Sequence, residues 1–408
     1  MSSLRILMYS NDSLSWGHTL RTLSVASALS KAIPECSILV LTDLSNIGRF
    51  KLPERTDYVH LPSLNLRASQ LQGNSRLQLE TENTLRIRRK IAQSALKTFR
   101  PGLVMFDESL LDIPSEMRKV LGCVADELPE AKVLWSLPDT LGDPQFVTRQ
   151  WAANGVREAF EHAHEILIYG AENMFDYASG YEWSENTSRK LRYTGYLTRQ
   201  VIPPQRVRVE VGRMNRNKLP LVVLTAGGEL GDFAMVETYL RFLEKAEDLA
   251  LQSFVVIGPA IGPREKRALM ARAQRLPRVV LHRVDKHMLH YLKFADLSIS
   301  TGSYNVMCEV LAHRKAALVV PNHKEQPGNY YRARLLQERG LVHTVTPTDF
   351  SPELLRDKLE NILFAGPRLV QKAQYEAIPQ EGFTAIVERT RLLSGRVPQP
   401  APRLALAS

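Results

Sequence analysis

The chain has 408 residues, of which 44% are hydrophobic, 24% are charged and three are cysteines. This composition argues against a disordered chain and against a membrane-embedded bundle. The cysteines are scattered without a CxxC pair, which argues against a zinc ribbon or a disulfide scaffold and favours the reducing cytoplasm. The longest apolar runs are strand-sized and the first residues lead directly into a strand-like segment, so we expect neither a membrane span nor a secretory signal.

The charge points to an anionic partner. Lysine and arginine exceed aspartate and glutamate by ten, which fits nucleic acid, an anionic membrane face or a phosphorylated ligand. No nucleic-acid-binding motif accompanies this charge and aromatic residues make up only 7% of the chain. We therefore expect no nucleic-acid partner, and peripheral contact with an anionic membrane is a hypothesis.

Short apolar runs alternate with helical stretches along the first half of the chain. Strands are predicted at residues 4–9, 37–42, 57–61, 102–106, 132–136 and 165–169, and helices at 18–29 and 77–99. Strands separated by helices predict βαβ units and a parallel sheet. The helix at 77–99 carries Arg86, Arg88, Arg89, Lys90 and Lys97. This run indicates either a solvated helix face or a lip for an anionic acceptor or membrane headgroups.

A second series of strands follows a segment rich in proline and arginine at 202–220. Strands are predicted at residues 221–225, 254–257, 279–282, 297–300, 317–320 and 341–345. The pattern predicts an N-terminal domain at 1–205, a linker at 206–219, a C-terminal domain at 220–380, a C-terminal helix at 381–396 and a fraying tail at 397–408.

Candidate functional residues of the first half lie where strands end, which is where open α/β sheets bind ligands. Gly17 permits a tight turn into the first helix, His18 follows it, and Arg21 lies one turn further on the same face. His18 can serve as a general base in a cleft or can simply face water at the helix start. Asp107 directly follows a strand and can orient an imidazole or cap a helix.

The second half has two segments suited to an anionic ligand. Gly227 and Gly228 follow its first strand and can approach a phosphate or form a plain tight turn. The small residues before Tyr304 and Asn305 open a helix after the strand at 297–300, where helix amides favour an anion.

Three side chains near this helix are suited to bind hydroxyl groups of a ligand. Glu309 lies two turns inside the helix, where a carboxylate can accept hydrogen bonds from a ribose diol or can be an ordinary surface residue. Glu325 and Gln326 follow the next strand with polar groups suited to sugar hydroxyls.

Residues 294–340 resemble the donor domain of GT-B nucleotide-sugar glycosyltransferases, in the branch of the peptidoglycan-precursor N-acetylglucosaminyltransferase and its uncharacterised relatives. The pattern includes TGSYNVMCE at 301–309 and EQPGN at 325–329. Further matches occur in order along the chain: Gly17-His18 is similar to the loop that holds the catalytic histidine, Asp107 to its aspartate partner, Arg199 to the arginine of a TGxxxR segment, Gly227-Gly228 to the GG loop, and Arg283-Val284 to the loop that reads the base.

The resemblance implies an α/β fold of the GT-B type, with two doubly wound, Rossmann-like domains facing a central cleft. It implies a cytoplasmic glycosyltransferase that moves a sugar from a nucleoside diphosphate, expected to be UDP, to an acceptor hydroxyl in cell-envelope or polysaccharide synthesis. No DxD pair stands in the second domain, so neither a metal nor another cofactor is expected. A UDP-sugar 2-epimerase of the same fold and a non-catalytic sugar-nucleotide-binding protein remain alternatives.

The resemblance also assigns roles to individual residues. His18 and Asp107 are the expected catalytic pair, with Gly17 and Arg21 on the acceptor side. The expected donor residues are Arg199, Gly227, Gly228, Gly302, Ser303, Tyr304 and Asn305 for the diphosphate, Arg283, Val284 and Glu309 for the nucleoside, and Glu325, Gln326 and Asn329 for the sugar.

Overall fold

The fold consists of two parallel β-sheets, each with helices between its strands. In a computed structural model the described residues are 3–10, 17–44, 47–63, 77, 79–107, 115–154, 156–199, 202–214, 217–226, 232–258, 261–283, 287–322, 327–364, 375 and 377–396. We call the part built on the first sheet the N-terminal domain and the part built on the second the C-terminal domain.

The N-terminal domain has a seven-stranded parallel sheet in the order β3-β2-β1-β4-β5-β6-β7. Its strands are β1 Leu4–Ser10, β2 Cys36–Thr42, β3 Thr56–His60, β4 Leu103–Asp107, β5 Lys132–Pro138, β6 Glu165–Tyr169 and β7 Leu191–Tyr193. Its helices are α1 Gly17–Ala32, α2 Thr81–Phe99, α3 Ser115–Glu127, α4 Pro144–Asn154, α5 Val156–Glu161, α6 Tyr177–Gly180 and α7 Glu185–Ser188, with a short 3-10 helix at Ile47–Arg49.

The C-terminal domain has a six-stranded parallel sheet in the order β10-β9-β8-β11-β12-β13. Its strands are β8 Leu221–Thr225, β9 Gln252–Ile257, β10 Val279–Arg283, β11 Leu297–Ser300, β12 Ala316–Val319 and β13 His343–Thr344. Its helices are α9 Asp232–Lys245, α10 Pro263–Ala273, α11 Tyr304–Ala312, α12 Pro327–Glu338 and α13 Pro352–Leu363, with a 3-10 helix at Met288–Lys293. Helix α8 (Gln205–Met214) precedes this domain, and helix α14 (Gly382–Leu393) follows it.

The expected α/β architecture of two parallel sheets is confirmed. The central strands are buried throughout, as in β4, β6 and β8, because helices cover both faces of a parallel sheet and leave no solvated side. This is why these strands appear in the sequence as continuous apolar runs. Strand β7 was not predicted, since its three residues are only half-buried and carry no apolar run.

Two helices tie the domains together outside the cleft. The expected linker contains helix α8, which buries Val207 and Val211. Glu210 of α8 accepts a hydrogen bond of 2.5 Å from the Tyr291 hydroxyl, so this helix is docked on the C-terminal domain. Helix α14 returns to the N-terminal domain, where Arg389 pairs with Glu165.

Helix α2 corrects one expectation for the basic run. Arg86, Lys90 and Lys97 are exposed, but Arg88 is fully buried and is not part of a solvated face. Its guanidinium donates to the Tyr9 hydroxyl at 2.8 Å and to the Pro62 carbonyl at 2.6 Å. Within the described residues, no helix is both long and apolar enough to cross a membrane.

Candidate functional site

The first half of the site lies at the carboxyl edge of the N-terminal sheet. Helix α1 begins at Gly17, directly before His18, and Asp107 is the last residue of β4. Strands β1 and β4 are neighbours in the sheet, so the helix that follows β1 begins beside the end of β4. The fold thereby brings together His18, Arg21 and Asp107, as the sequence predicted.

The three side chains are arranged with the arginine in the middle. Arg21 donates from Nε to both Asp107 oxygens, at 3.0 and 2.9 Å, and Thr22 Oγ1 donates to Oδ2 at 3.1 Å. Arg21 Nη2 lies 2.9 Å from His18 Nδ1, whereas His18 Nδ1 lies 3.9 Å from Asp107 Oδ1. His18 thus lies within ion-pair distance of Asp107, and Arg21 contacts both side chains.

This arrangement fixes the charge state of the buried carboxylate. Burial by itself would raise the pKa of Asp107, but the charge of Arg21 and the interactions with His18 and Arg21 together outweigh it and lower the pKa to about 2. Burial likewise opposes the charge on Arg21, and attraction to Asp107 raises the pKa of Arg21 in spite of it. Asp107 and Arg21 thus form an ionised, buried pair with His18 at its solvent-facing side.

The second half of the site is the start of helix α11. Gly302 has a φ of +79° and an added Cβ would lie 2.7 Å from Val319 Cγ1, so any other residue would be strained at this turn. Ser303 caps the helix without a side-chain hydrogen bond to its amides. The first amides of α11 therefore form a local concentration of positive dipole, as expected for a diphosphate site.

The side chains of Tyr304 and Asn305 face the N-terminal domain instead. Tyr304 is buried, its hydroxyl accepts a hydrogen bond of 3.2 Å from the Leu197 amide, and its ring stacks on Tyr196. Asn305 Nδ2 donates to the Gly17 carbonyl at 2.9 Å. Of these two residues, only the backbone amides remain candidates for the phosphate, because both side chains contact the opposite domain.

Arg199 and Glu309 line a single cavity behind this helix. The cavity encloses about 20 Å³, and its walls are Arg199, Pro203, Leu289, His290, Lys293, Glu309 and His313. Glu309 is buried, and its Oε2 lies 3.5 Å from His313 Nε2. A volume of this size holds about one water molecule.

Three basic residues of this cavity were not predicted: His290, Lys293 and His313. Lys293 and His290 belong to the 3-10 helix Met288–Lys293, which follows the expected base-reading loop. Their position within a short, mostly apolar segment gave no sign of a role, although they lie only a few residues after Arg283. Together with Arg199 they line the same cavity as Glu309.

A further unpredicted pair joins the domains beside Asn329. Arg332 of α12 donates from Nε to Asp139 Oδ1 at 2.7 Å, and both side chains are buried. Arg332 also donates to the side-chain oxygen of Asn329 at 2.9 Å. Asp139 follows a strand, as Asp107 does, but nothing in its local sequence distinguishes it from a turn residue.

The remaining expected residues have different outcomes. Arg283 is the last residue of β10 and its side chain is exposed. The other expected donor residues lie outside the described residues: Gly227, Gly228, Val284, Glu325 and Gln326.

Comparisons with known proteins agree with this architecture. CalG4, the calicheamicin glycosyltransferase, has a TM-score of 0.64 at 15% identity, and the match covers 98% of this chain and 100% of that one. MurG of Acinetobacter baumannii has a TM-score of 0.58 at 16% identity, over 95% and 99% of the chains. A UGT transferase from Siraitia grosvenorii, solved with UDP, has a TM-score of 0.62 at 12% identity, over 96% and 99%. These likenesses establish the fold.

The same fold is shared with a UDP-N-acetylglucosamine 2-epimerase candidate from Listeria monocytogenes, at a TM-score of 0.62 and 10% identity over 98% and 99% of the chains. No curated protein sequence matches the chain significantly. The sequence profile of the glycosyltransferase family 28 C-terminal domain matches residues 227–389, which include the start of α11 and the cavity wall at Glu309. Residues 227–389 therefore match the family 28 C-terminal domain, and the whole chain has the GT-B fold, in which it resembles glycosyltransferases that include MurG.

Proposed function

We propose that the chain transfers a sugar from UDP to an acceptor hydroxyl, without a metal, and that the nucleotide binds mainly to the C-terminal domain. The observation that carries this proposal is the cavity that Arg199 and Glu309 share, which lies along the second half of α11. These residues are 110 positions apart, and each matches a donor-binding motif of the family. Their convergence on one place supports a common ligand.

The charges around the cavity suit a nucleoside diphosphate. Arg199 and Lys293 supply guanidinium and ammonium groups, and the first amides of α11 supply aligned dipoles. These groups stabilise the diphosphate as negative charge develops on it during sugar transfer. Glu309 accepts hydrogen bonds from the ribose diol in this proposal. Because the Glu309 side chain is buried, these hydrogen bonds form away from water and in a fixed geometry.

His18 is the proposed general base for the acceptor hydroxyl. A guanidinium only donates hydrogen bonds, so the contact with Arg21 Nη2 makes Nδ1 of the neutral ring an acceptor and places the ring proton on Nε2. Proton removal by Nε2 therefore requires the other tautomer, with Nδ1–H turned toward Asp107 across the present 3.9 Å. Arg21 thereby controls whether His18 is ready to accept a proton.

The acceptor is proposed from resemblance and charge. Similarity to the MurG branch supports a cytoplasmic reaction in cell-envelope or polysaccharide synthesis, and the net charge of +10 supports peripheral contact with an anionic membrane face. Flotation with vesicles of anionic and of neutral phospholipid at low salt tests the contact. Equal recovery with both kinds of vesicle contradicts it.

Calorimetric titration with UDP, GDP and TDP, each with EDTA and with Mg²⁺, tests the donor site. We expect UDP to bind equally well in both conditions and Glu309→Ala to weaken binding by about 1–3 kcal/mol, the value of hydrogen bonds to a charged group. Glu338→Ala is the control, because Glu338 pairs with Arg334 on the exposed face of α12. Absence of nucleotide binding, or equal effects of the two substitutions, contradicts the proposed donor site.

The epimerase alternative has one observation in its favour, the shared fold with the Listeria protein. An epimerase needs no acceptor, so incubation with a UDP-sugar alone distinguishes the two reactions. A C2-epimerised nucleotide sugar would support the alternative. Nucleotide release that increases with an added acceptor would support transfer.

A further inference from the structure

A buried ion pair joins the two domains at the cleft. Arg332 lies in α12 of the C-terminal domain, and Asp139 follows β5 at the carboxyl edge of the N-terminal sheet. Their side chains are only 3% and 5% exposed. The second oxygen of Asp139 accepts a hydrogen bond of 3.0 Å from the Tyr196 hydroxyl, and the Thr140 amide donates to the first at 3.0 Å. Asp139 is thus held rigidly by its own domain.

The guanidinium of Arg332 extends this contact into the donor side of the cleft. Its Nη1 donates to the Gly302 carbonyl at 3.1 Å and to Asn329 Oδ1 at 2.9 Å. It also lies over the Tyr304 ring, with Cζ 5.5 Å from the ring centre. One side chain therefore contacts the turn before α11, the first residue of α11 and the first turn of α12.

We propose that Arg332 is a positioning residue: it fixes Gly302 and Asn329 relative to each other and fastens both to Asp139 of the N-terminal domain. Buried ion pairs contribute little net stability, since desolvation offsets their attraction, but they can select one arrangement over others. The arrangement selected here sets the distance from the donor sugar to His18. This consequence rests on the proposed function, because it takes Gly302 and Asn329 as donor-site residues.

The pair also explains how the closed cleft is held. Separation of the domains at the cleft breaks the contact between Arg332 and Asp139, and closure restores it. Because the Arg332–Asp139 pair can form in only one geometry, closure places the turn at Gly302 in the same position relative to the N-terminal sheet each time.

Hydrogen exchange tests the coupling without any substrate. We expect Arg332→Gln and Asp139→Asn each to accelerate exchange at least tenfold in both 138–142 and 300–306, although these segments lie in different domains. The control is Arg389→Gln, which removes the ion pair between α14 and Glu165 at the amino end of β6. Faster exchange only within the substituted residue's own domain, or an equal effect of Arg389→Gln at both segments, overturns the proposal.

The rate of UDP release and the affinity for UDP give a second test, because a purely structural role of Arg332 would not change one without the other. UDP release is measured with the UDP-sugar that the unsubstituted protein hydrolyses fastest, beside calorimetry with UDP. Because misplacement by about 1 Å costs about 100-fold in rate, we expect Arg332→Gln to lower kcat/KM about 100-fold while the Kd for UDP stays within threefold. Arg332→Lys keeps one of the contacts, so it should lose only about tenfold.

The two measurements distinguish failure of the positioning role from failure of the proposed function. Equal losses of UDP affinity and of kcat/KM would show general disruption and overturn the positioning role. If the unsubstituted protein binds no UDP, the proposed function fails, and the exchange experiment alone then decides whether Arg332 couples the domains.

Discussion

Asp107→Asn is predicted to destabilise the N-terminal domain strongly. Asp107 is buried and accepts hydrogen bonds from Arg21 and Thr22. Asparagine has nearly the same shape but no charge, so the substitution leaves the guanidinium of Arg21 buried without its counterion. The control is Asp126→Asn, the same change at an exposed position of α3.

The magnitude follows from the pKa of the carboxyl group. Its fall from 3.8 to about 2 corresponds to about 2 kcal/mol in favour of the folded, ionised state. Since the folded-state pKa is lowered, this stability is present above about pH 4 and is lost as the pH falls through about 2. At pH 7 the substitution also leaves the charge of Arg21 buried without its counterion, and breaking a buried ion pair costs about 3–5 kcal/mol. We therefore expect a loss of about 3–5 kcal/mol.

Tryptophan fluorescence during urea unfolding measures this loss in the right domain. All four tryptophans lie in the N-terminal half, and Trp135 of β5 stacks on Phe106, next to Asp107. Between about pH 4 and 2, the unsubstituted protein should lose more stability than Asp107→Asn. A loss below about 1 kcal/mol at pH 7, or equal pH dependence of the two proteins, refutes the reasoning.

The remaining predictions concern the turn before α11 and the histidine tautomer. Gly302→Ala should lower the free energy of unfolding, measured by thermal unfolding, by about 3 kcal/mol, because alanine would have a left-handed φ and a Cβ 2.7 Å from Val319 Cγ1. Gly212→Ala in α8 meets no atom within 4 Å and should stabilise slightly; equal effects would contradict the role of the turn. For His18, ¹⁵N NMR at about pH 8 should show the proton on Nε2, and Arg21→Met should abolish this preference. A protonated Nδ1 in the unsubstituted protein would contradict the donation from Arg21.

The sequence was most informative about the two sheets. Buried parallel strands such as β6, β8 and β11 have apolar runs on both faces and appear at their observed bounds. The last strand was predicted at 341–345, but only His343–Thr344 pairs with β12. The local hydrophobic pattern of the sequence indicates well which residues are buried. The ends of a strand depend instead on which residues of the neighbouring strand offer hydrogen-bond partners.

The partners of charged residues were the least predictable feature. Sequence position correctly indicated that His18 and Asp107 lie at one sheet edge, but it did not show that Arg21 stands between them. Arg88 was indistinguishable from its exposed neighbours, although it alone turns toward Tyr9. Whether a basic side chain is solvated or buried depends on carbonyl and hydroxyl groups that are distant in the sequence. The residues of the helix itself do not indicate where these groups lie.

Tyr304 shows how these long-range contacts bear on function. The guanidinium carbons of Arg21 and Arg332 lie 5.4 and 5.5 Å from the centre of its ring, and each arginine is paired with an aspartate of the N-terminal sheet edge. The first side chain of the donor helix is therefore held between the ion pair beside His18 and the ion pair beside Asn329. Movement of α11 away from the N-terminal domain must disturb both arginines together, so the proposed donor site and the proposed base are aligned by the same contact.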